Sequence, residues 1–530
     1  MTAVAPAAFQ PANVDYVAIL PLLIVFATAL VGVLVEAFVS RTRRHVVQVV
    51  LSVVGLVAAF VAVVFAAGAQ GLTMGLADAE TGRGMFAIAV DGPALFMQGT
   101  IVLMSILGVL TMAERFGGPA ADAFTPSGAS MPGSAYESAA TRAGAMTSEV
   151  FPLMLFAIGG MMLFPAANDL IGMFVALEVL SFPLYILAGL SRRRRLLSQE
   201  ASLKYFLLGG FSSAFFIFGT ALLYGYAGSV YFADLSKAVA TESIGSDALL
   251  MAGAFLVFTG LLFKVGAVPF HMWTPDVYQG APTPLTGFMA AATKAAAFGA
   301  MLRLAYVGLE TSRWEWSNAI VIVAILTMVV GAVLSVTQTD MKRLLAYSSI
   351  AHAGFILVGV LAFDRKAVSA VLFYLVAYGF STIAAFAIVN LVRQNGSEAT
   401  HLSQWAGLGK RHPLVAAVFS FLMLAFAGIP LTSGFIAKFG VFSAAIGTGG
   451  ATGTVLAVIG VLASAVTVFV YARIIVLMFF SEAPDDTVEV VTPSPATTFS
   501  IAIGAMITLA LGVVPSALLD LTDRASQFIR

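Results

Sequence analysis

Three lysines and one glutamate stand inside stretches otherwise fit for lipid. Lys264 lies in "FKVGAVPFHMWTPDVYQGAP" (263–282), where an ammonium group precedes a helix breaker, Pro269, by five residues. Lys294 lies ten residues after Pro284, mid-run in "PLTGFMAAATKAAAFGAML". Lys438 follows the interruption in "AFAGIPLTSGFIAKF", and Glu178 is central in "LIGMFVALEVLSFPLYILAGL". Each charge at mid-bilayer depth costs about 2.5–3.5 kcal/mol, so the four together cost on the order of 10 kcal/mol. That rivals the whole stability of a typical domain. Their chemistry is proton chemistry: burial disfavours a charged form and an opposite charge nearby favours it. Moving Glu178 toward or away from Lys264 could therefore load or release a proton. Lys264, Lys294 and Lys438 make a candidate wire, with Ser348, Ser349 and His352 as polar links between them.

Other charges suit plainer roles. Arg303 and Arg473 lie near the ends of their runs, where a long side chain can reach the interface. Lys204, close to "SRRRRLLS", fits either reading. The histidines His45, His271, His352, His401 and His412 are scattered and suggest no metal site. His352, in "AYSSIAHAGF", fits a hydrogen-bonded core position more readily than a relay. Asp276 reads as a loop cap and Glu36 as interfacial.

The positioning elements follow from composition. The chain has 530 residues, 60% hydrophobic and 10% charged, against roughly 25% charged in soluble proteins. Repeated apolar stretches of about 20 residues match a hydrocarbon core of about 30 Å. The chain is read as an all-α polytopic membrane protein, because helices satisfy their own backbone in lipid and no alternation suggests a barrel. Equal numbers of basic and acidic residues, 27 each, give no case for nucleic-acid binding. Without cysteine, disulfides and cysteine-ligated clusters are excluded. "MTAVAPAAFQPANVDY" carries no signal-peptide or transit-peptide pattern, so the first span is expected to serve as the insertion signal. "GLGKRHP" (407–413) lacks the residues of a phosphate loop.

Fourteen spans are expected at 16–39, 46–68, 93–113, 150–167, 170–190, 201–226, 248–270, 283–308, 317–337, 344–363, 367–392, 413–446, 453–480 and 497–518. Basic residues in the loops after odd-numbered spans outnumber those in the other loops and termini by fourteen to seven. That bias places "SRRRRLLS" in the cytoplasm and both termini outside. The acidic "SEAPDDTVEV" (481–490) fits this orientation poorly.

Span twelve is far longer than a crossing needs, and Gly428, Pro430 and Gly434 interrupt it. Span seven is broken at Gly266 and Pro269. Over-long, Gly/Pro-interrupted spans read as discontinuous helices, which place ion sites at the midplane of inverted repeats. The breaks lie in oppositely directed spans, as expected if spans 4–8 and 9–13 are inverted five-helix repeats. The expected organisation is helices 1–3 over 1–113 and a flexible cytoplasmic connection over 114–148. A first repeat follows over 149–308, a second over 309–480, and a loop with the last helix over 481–530.

The blocks "GGMMLFPAANDLIGMFVALEVLSFPLYILAGL", "EASLKYFLLGGFSSAFFIFGTALLYG", "FKVGAVPFHMWTPDVYQGAPTPLTGFMAAATKAA", "QTDMKRLLAYSSIAHAGF" and "GIPLTSGFIAKF" closely resemble the subunit N family of proton-pumping NADH:quinone oxidoreductase, respiratory complex I. A glutamate where Lys438 stands would fit subunit M, and a long lateral helix after the last span would fit subunit L. The resemblance implies a proton-translocating, antiporter-like subunit of a translocase in the bacterial cytoplasmic membrane. It implies Glu178 and Lys264 as the paired charges of helices five and seven, Lys294 as the connecting lysine and Lys438 as the charge of helix twelve. Lys204 matches a further lysine near the glutamate. The resemblance also implies that this chain holds no cofactor, with flavin, iron–sulfur clusters and quinone in partner subunits and subunits K and M as neighbours. The alternatives are a subunit of a multi-subunit cation/proton antiporter, or a structural subunit whose charges only fasten helices.

Overall fold

The computed structural model describes residues 15–69, 71–77, 84–116, 122–132, 134–142, 147–241, 246–448, 450–482 and 488–529. The extreme termini, Arg83 and the centre of the acidic 481–490 loop lie outside the described residues.

Twelve helices among them are long and apolar enough to cross a membrane. They are α1 (Leu20–Phe38), α2 (Arg41–Ala66), α3 (Gly92–Met112), α5 (Leu170–Ala188), α6 (Arg195–Ala227), α7a (Asp247–Val265), α8 (Thr283–Gly308), α9 (Arg313–Thr337), α10 (Met341–Val360), α11 (Arg365–Leu391), α13 (Gly450–Phe480) and α14 (Pro495–Val513). The remaining two expected spans are α4 (Val150–Ala166) and a pair of short helices, α12a (Pro413–Ala427) and α12b (Ser433–Thr448).

Local chemistry sets the helix ends. Asp91 caps α3 by accepting from the Ala94 amide, Asp169 caps α5 through Gly172, and Asp340 caps α10 through Arg343. Each satisfies a donor that the first turn leaves free. Helices α8 and α11, apolar but for a few charges, are buried throughout their membrane windows, whereas α1 and α14 are buried over only 33% and 28% of theirs. A helix apolar on every face belongs at the centre of a bundle. Small residues let the layers close: a Cβ on Gly331 of α9 would fall 2.5 Å from the Ala351 amide nitrogen of α10.

Both expected breaks are present, with different edges from those read in the sequence. Helix α7a ends at Val265, five residues before the expected end, and Gly266 caps it at φ 74°. The second half, α7b (Trp273–Gly280), begins four residues after Pro269, so the proline lies in the turn rather than in a half-helix. Gly428 caps α12a in the same left-handed conformation, φ 81°, and Pro430 again lies in the turn. Left-handed backbone favours glycine because it has no Cβ.

The segment read as a flexible connection is tied down over its described part. Thr125 donates its amide to Leu190 at 2.7 Å, Arg192 pairs with Asp122 at 2.5 Å, and Arg195 pairs with Glu137 at 3.0 Å. Two arginines of "SRRRRLLS" are therefore engaged by 122–142. Two small sheets, absent from the sequence reading, lie between spans: β1 (Leu72–Ala77) with β2 (Gly84–Val90), and β3 (Val392–Gln394) between β4 (Ser397–Glu398) and β5 (Val488–Val490).

Candidate functional site

All three central lysines are buried, at 2%, 4% and 6% exposure for Lys264, Lys294 and Lys438. None of them has a carboxylate within 4 Å among the described residues. Their partners are neutral oxygens.

Lys264, in the last turn of α7a, donates to Ser181 Oγ at 2.6 Å and to the Tyr185 hydroxyl at 3.3 Å. Both acceptors project from α5, one turn apart on one stripe. Glu178 lies one turn earlier, half-buried, with Oε1 buried and without a hydrogen-bond partner. The expected direct pair of Glu178 and Lys264 is therefore a near pair. At the break the Phe263 carbonyl accepts from the Gly266 amide at 3.0 Å and from Trp273 Nε1 at 2.8 Å, not from the lysine.

Lys294 follows a π-helical turn at Met289–Thr293, and a second π turn spans Leu304–Gly308. Widened turns of this kind are rare and gather at functional sites. The Lys294 ammonium donates to both the carbonyl and the hydroxyl of Ser349 on α10, and lies 5.2 Å from the centre of the Tyr378 ring. The Tyr278 and Tyr378 hydroxyls reach the same serine.

Beyond Ser349, His352 is buried between aromatic rings. Its Nδ1 meets the Tyr374 hydroxyl at 2.7 Å and its Nε2 meets Tyr471 at 3.4 Å, while Tyr471 also bonds Ser348. Lys438, on α12b, donates to the Phe426 and Ala427 carbonyls at 2.9 Å each and to Ser464 Oγ at 2.7 Å. Those carbonyls end α12a and are freed by the break, so the ammonium sits on the negative end of a half-helix. Here the expected link between break and lysine is direct.

The family described as "NADH:quinone oxidoreductase/Mrp antiporter, TM" matches residues 167–467, which span Glu178, the three lysines and all of these partners except Tyr471. The NADH-quinone oxidoreductase subunit N 3 of Streptomyces griseus is 55% identical, covering 100% of this chain and 97% of its own. Subunit N of Rhodococcus opacus is 56% identical over 98% of this chain and 97% of its own. This chain belongs to the subunit N family. Among solved structures, a chain of respiratory complex I from Thermus thermophilus with bound Aureothin superposes with a TM-score of 0.74 at 29% identity, covering 95% of this chain and 99% of that one. A chain of the Mrp complex from Dietzia sp. DQ12-45-1b gives 0.79 at 23% identity, covering 97% of each, and shares the fold.

In this subunit N chain two charges, Arg303 and Asp276, sit differently from the sequence reading. Arg303 does not reach an interface: it is fully buried, pairing with Asp91 at 2.5 Å and donating to the Pro165 carbonyl at 2.6 Å. Asp276 is not a loop cap: it lies in α7b and pairs with Lys204 at 2.8 Å and Arg343 at 2.6 Å. Lys204, which fitted either reading, has a side chain 41% exposed and pairs with Glu200 at 2.7 Å as well as with Asp276. Arg473 donates to the Val336 and Gln338 carbonyls at the end of α9, near the end of its span as expected.

Sequence reasoning missed Ser181, Tyr185, Tyr278, Tyr378, Tyr374, Tyr471 and Ser464. Ser181 and Tyr185 carried one usable signal, their spacing of three and seven residues from Glu178 on one helical stripe.

Proposed function

We propose that Lys264, Lys294 and Lys438 carry protons through the middle of this membrane-embedded, antiporter-like subunit of NADH:quinone oxidoreductase. Glu178 sets the charge of Lys264 from one turn away. The driving redox reaction takes place in other subunits, and this chain holds no redox cofactor of its own.

One contrast supports the reading. Several buried cations with structural roles are given a carboxylate, as Arg303 is by Asp91 and Lys342 by Glu398. The three lysines are equally buried yet have only hydroxyls and carbonyls. Neutral acceptors leave an amine free to lose its proton, whereas a tight carboxylate partner holds the charge in place. His352, Ser348 and Ser349 are the links between Lys294 and Lys438. The antiporter reading fits the shared fold, and full-length relatives above 50% identity favour the oxidoreductase.

The α5 surface supports a neighbouring subunit. Ile171, Val175, Phe182 and Ile186 are exposed, and Glu178 falls on the same stripe. A carboxylate facing lipid is costly, so a membrane subunit covers it. Subunits K and M are the proposed neighbours, in a bacterial inner membrane with both termini outside.

The test uses the assembled complex carrying Lys264→Ala or Lys294→Ala in vesicles. The expected result is normal assembly, copurification with NADH-oxidising subunits, and impaired NADH-driven proton transport and turnover. Assembled variants that pump at the wild-type rate would rule the reading out.

A further inference from the structure

Beside the Lys264 site stands a tyrosine that the account above leaves unused. Tyr205, on α6, is fully buried, and its hydroxyl has no hydrogen-bond partner among the described residues. Its ring is held on both faces: edge-on to Tyr185 at 4.6 Å between centres, and stacked on Trp273 at 4.7 Å with 10° between planes. The Lys264 ammonium lies 5.5 Å from the centre of the same ring.

Packing explains the ring and leaves the oxygen unexplained. Phenylalanine would fill the same space, while a buried hydroxyl without a partner is destabilising. Its electrostatic neighbours are the tyrosines Tyr185 and Tyr278. Tyr185 accepts from Lys264 at 3.3 Å, and Tyr278 reaches Ser349, which accepts from Lys294. The Tyr205 ring thus packs against Tyr185, whose hydroxyl accepts from Lys264, and against Trp273, whose ring centre lies 6.3 Å from that of Tyr278. A bound water beside the orphan oxygen would need two to four polar partners, and the Tyr185 and Tyr278 hydroxyls are the groups that would supply them.

We propose that Tyr205, through a bound water, passes protons between Lys264 and Lys294. The inference rests on the proton-carrying role of those lysines. When Lys264 is an ammonium and Lys294 an amine, Lys264 gives a proton to the Tyr185 oxygen while the Tyr185 O–H proton moves to the water. The water releases one of its own protons to Tyr205, whose O–H proton moves on to Tyr278, then Ser349, then the Lys294 nitrogen. Every oxygen ends with the number of protons it began with, and the charge has moved from one lysine to the other. Gly209, one turn after Tyr205, keeps the first step in place: any side chain there would overlap the Tyr185 hydroxyl.

The test is Tyr205→Phe in the assembled complex, with Lys264→Ala measured in parallel. Removing the hydroxyl while keeping the ring stack should lower NADH-driven proton transport about tenfold or more. Wild-type transport by Tyr205→Phe beside impaired Lys264→Ala would overturn the relay and leave the lysine reading intact. Wild-type transport by both would overturn the two together. Should Tyr205→Phe fail to assemble, a fluorinated tyrosine at 205 decides, since it has nearly the same size and a more acidic hydroxyl. A changed transport rate supports the relay, and an unchanged one overturns it.

Discussion

Lys264 of α7a meets the α5 stripe that carries Glu178 without touching the carboxylate: the ammonium is bonded to Ser181 Oγ at 2.6 Å, and the carboxylate lies a turn away with Oε1 unpartnered. The two positions open to this ammonium, hydroxyl or carboxylate, differ in how firmly they hold a proton. Ser181 then acts as the rest that keeps the lysine off the glutamate. Ser181→Ala removes that rest and biases Lys264 toward Glu178. The expected result is an assembled complex whose proton transport falls several-fold, with Glu178→Gln in the same background restoring part of it. The check is NADH-driven acidification of vesicles, and no loss in Ser181→Ala would refute the role of the hydroxyl.

Helix twelve depends on closeness at its break. A Cβ on Gly434 would overlap the carbonyl oxygen of Ala425, so the two halves meet only over glycine. Gly434→Ala must push α12b away from α12a and lift Lys438 off the Phe426 and Ala427 carbonyls. Assembly of the complex, read on a native gel, should drop sharply. Lys438→Ala, which opens space instead, should leave assembly largely intact.

Asp91→Asn is expected to cost stability rather than transport chemistry. The carboxylate holds Arg303, caps α3 and accepts the Ile529 amide at 3.1 Å, joining three parts of the chain. Breaking a buried pair from one side costs about 3–5 kcal/mol, because the other charge stays buried alone. Thermal unfolding of the purified complex should show a clear loss, partly recovered in Asp91→Leu/Arg303→Met. An Asp91→Asn complex as stable as wild type would contradict this.

Glu398 fixes the β4 strand to the end of α10 through Lys342 at 3.3 Å. Burial alone would push its carboxyl up, but Lys342 and Arg393 outweigh burial and hold it below the usual 4.5. A depressed folded value stabilises the protein above about pH 4.5 and is lost as pH falls through it. Glu398→Gln should therefore be less stable than wild type at pH 7, by about 3 kcal/mol. That gap should close below pH 4.5. A gap that persists at low pH would contradict the ion-pair account.

How much of this could be read from the sequence depended on contrast. Lys264, Lys294 and Lys438 stood out because a charge in an apolar run is rare, and the breaks at Gly266 and Gly428 stood out because glycine and proline punctuate helices. The hydroxyls that receive the lysines did not, since Ser181 and Tyr185 are ordinary residues in a membrane helix. Arg303 was misread because its partner Asp91 is 212 residues away. The π turns around Lys294 arise from packing in a wholly buried helix and have no local signature. Asp276 was misread because Lys204 and Arg343, its two cations, come from other helices.

The account stands on protons crossing between the lysines, and water is the medium that lets them. A structure of the assembled complex resolving ordered water tests this most directly. The predicted result is water joining Lys264 to Lys294 past Tyr205, and Lys294 to Lys438 past His352. Close-packed apolar side chains filling both gaps, with no water at either, would contradict it.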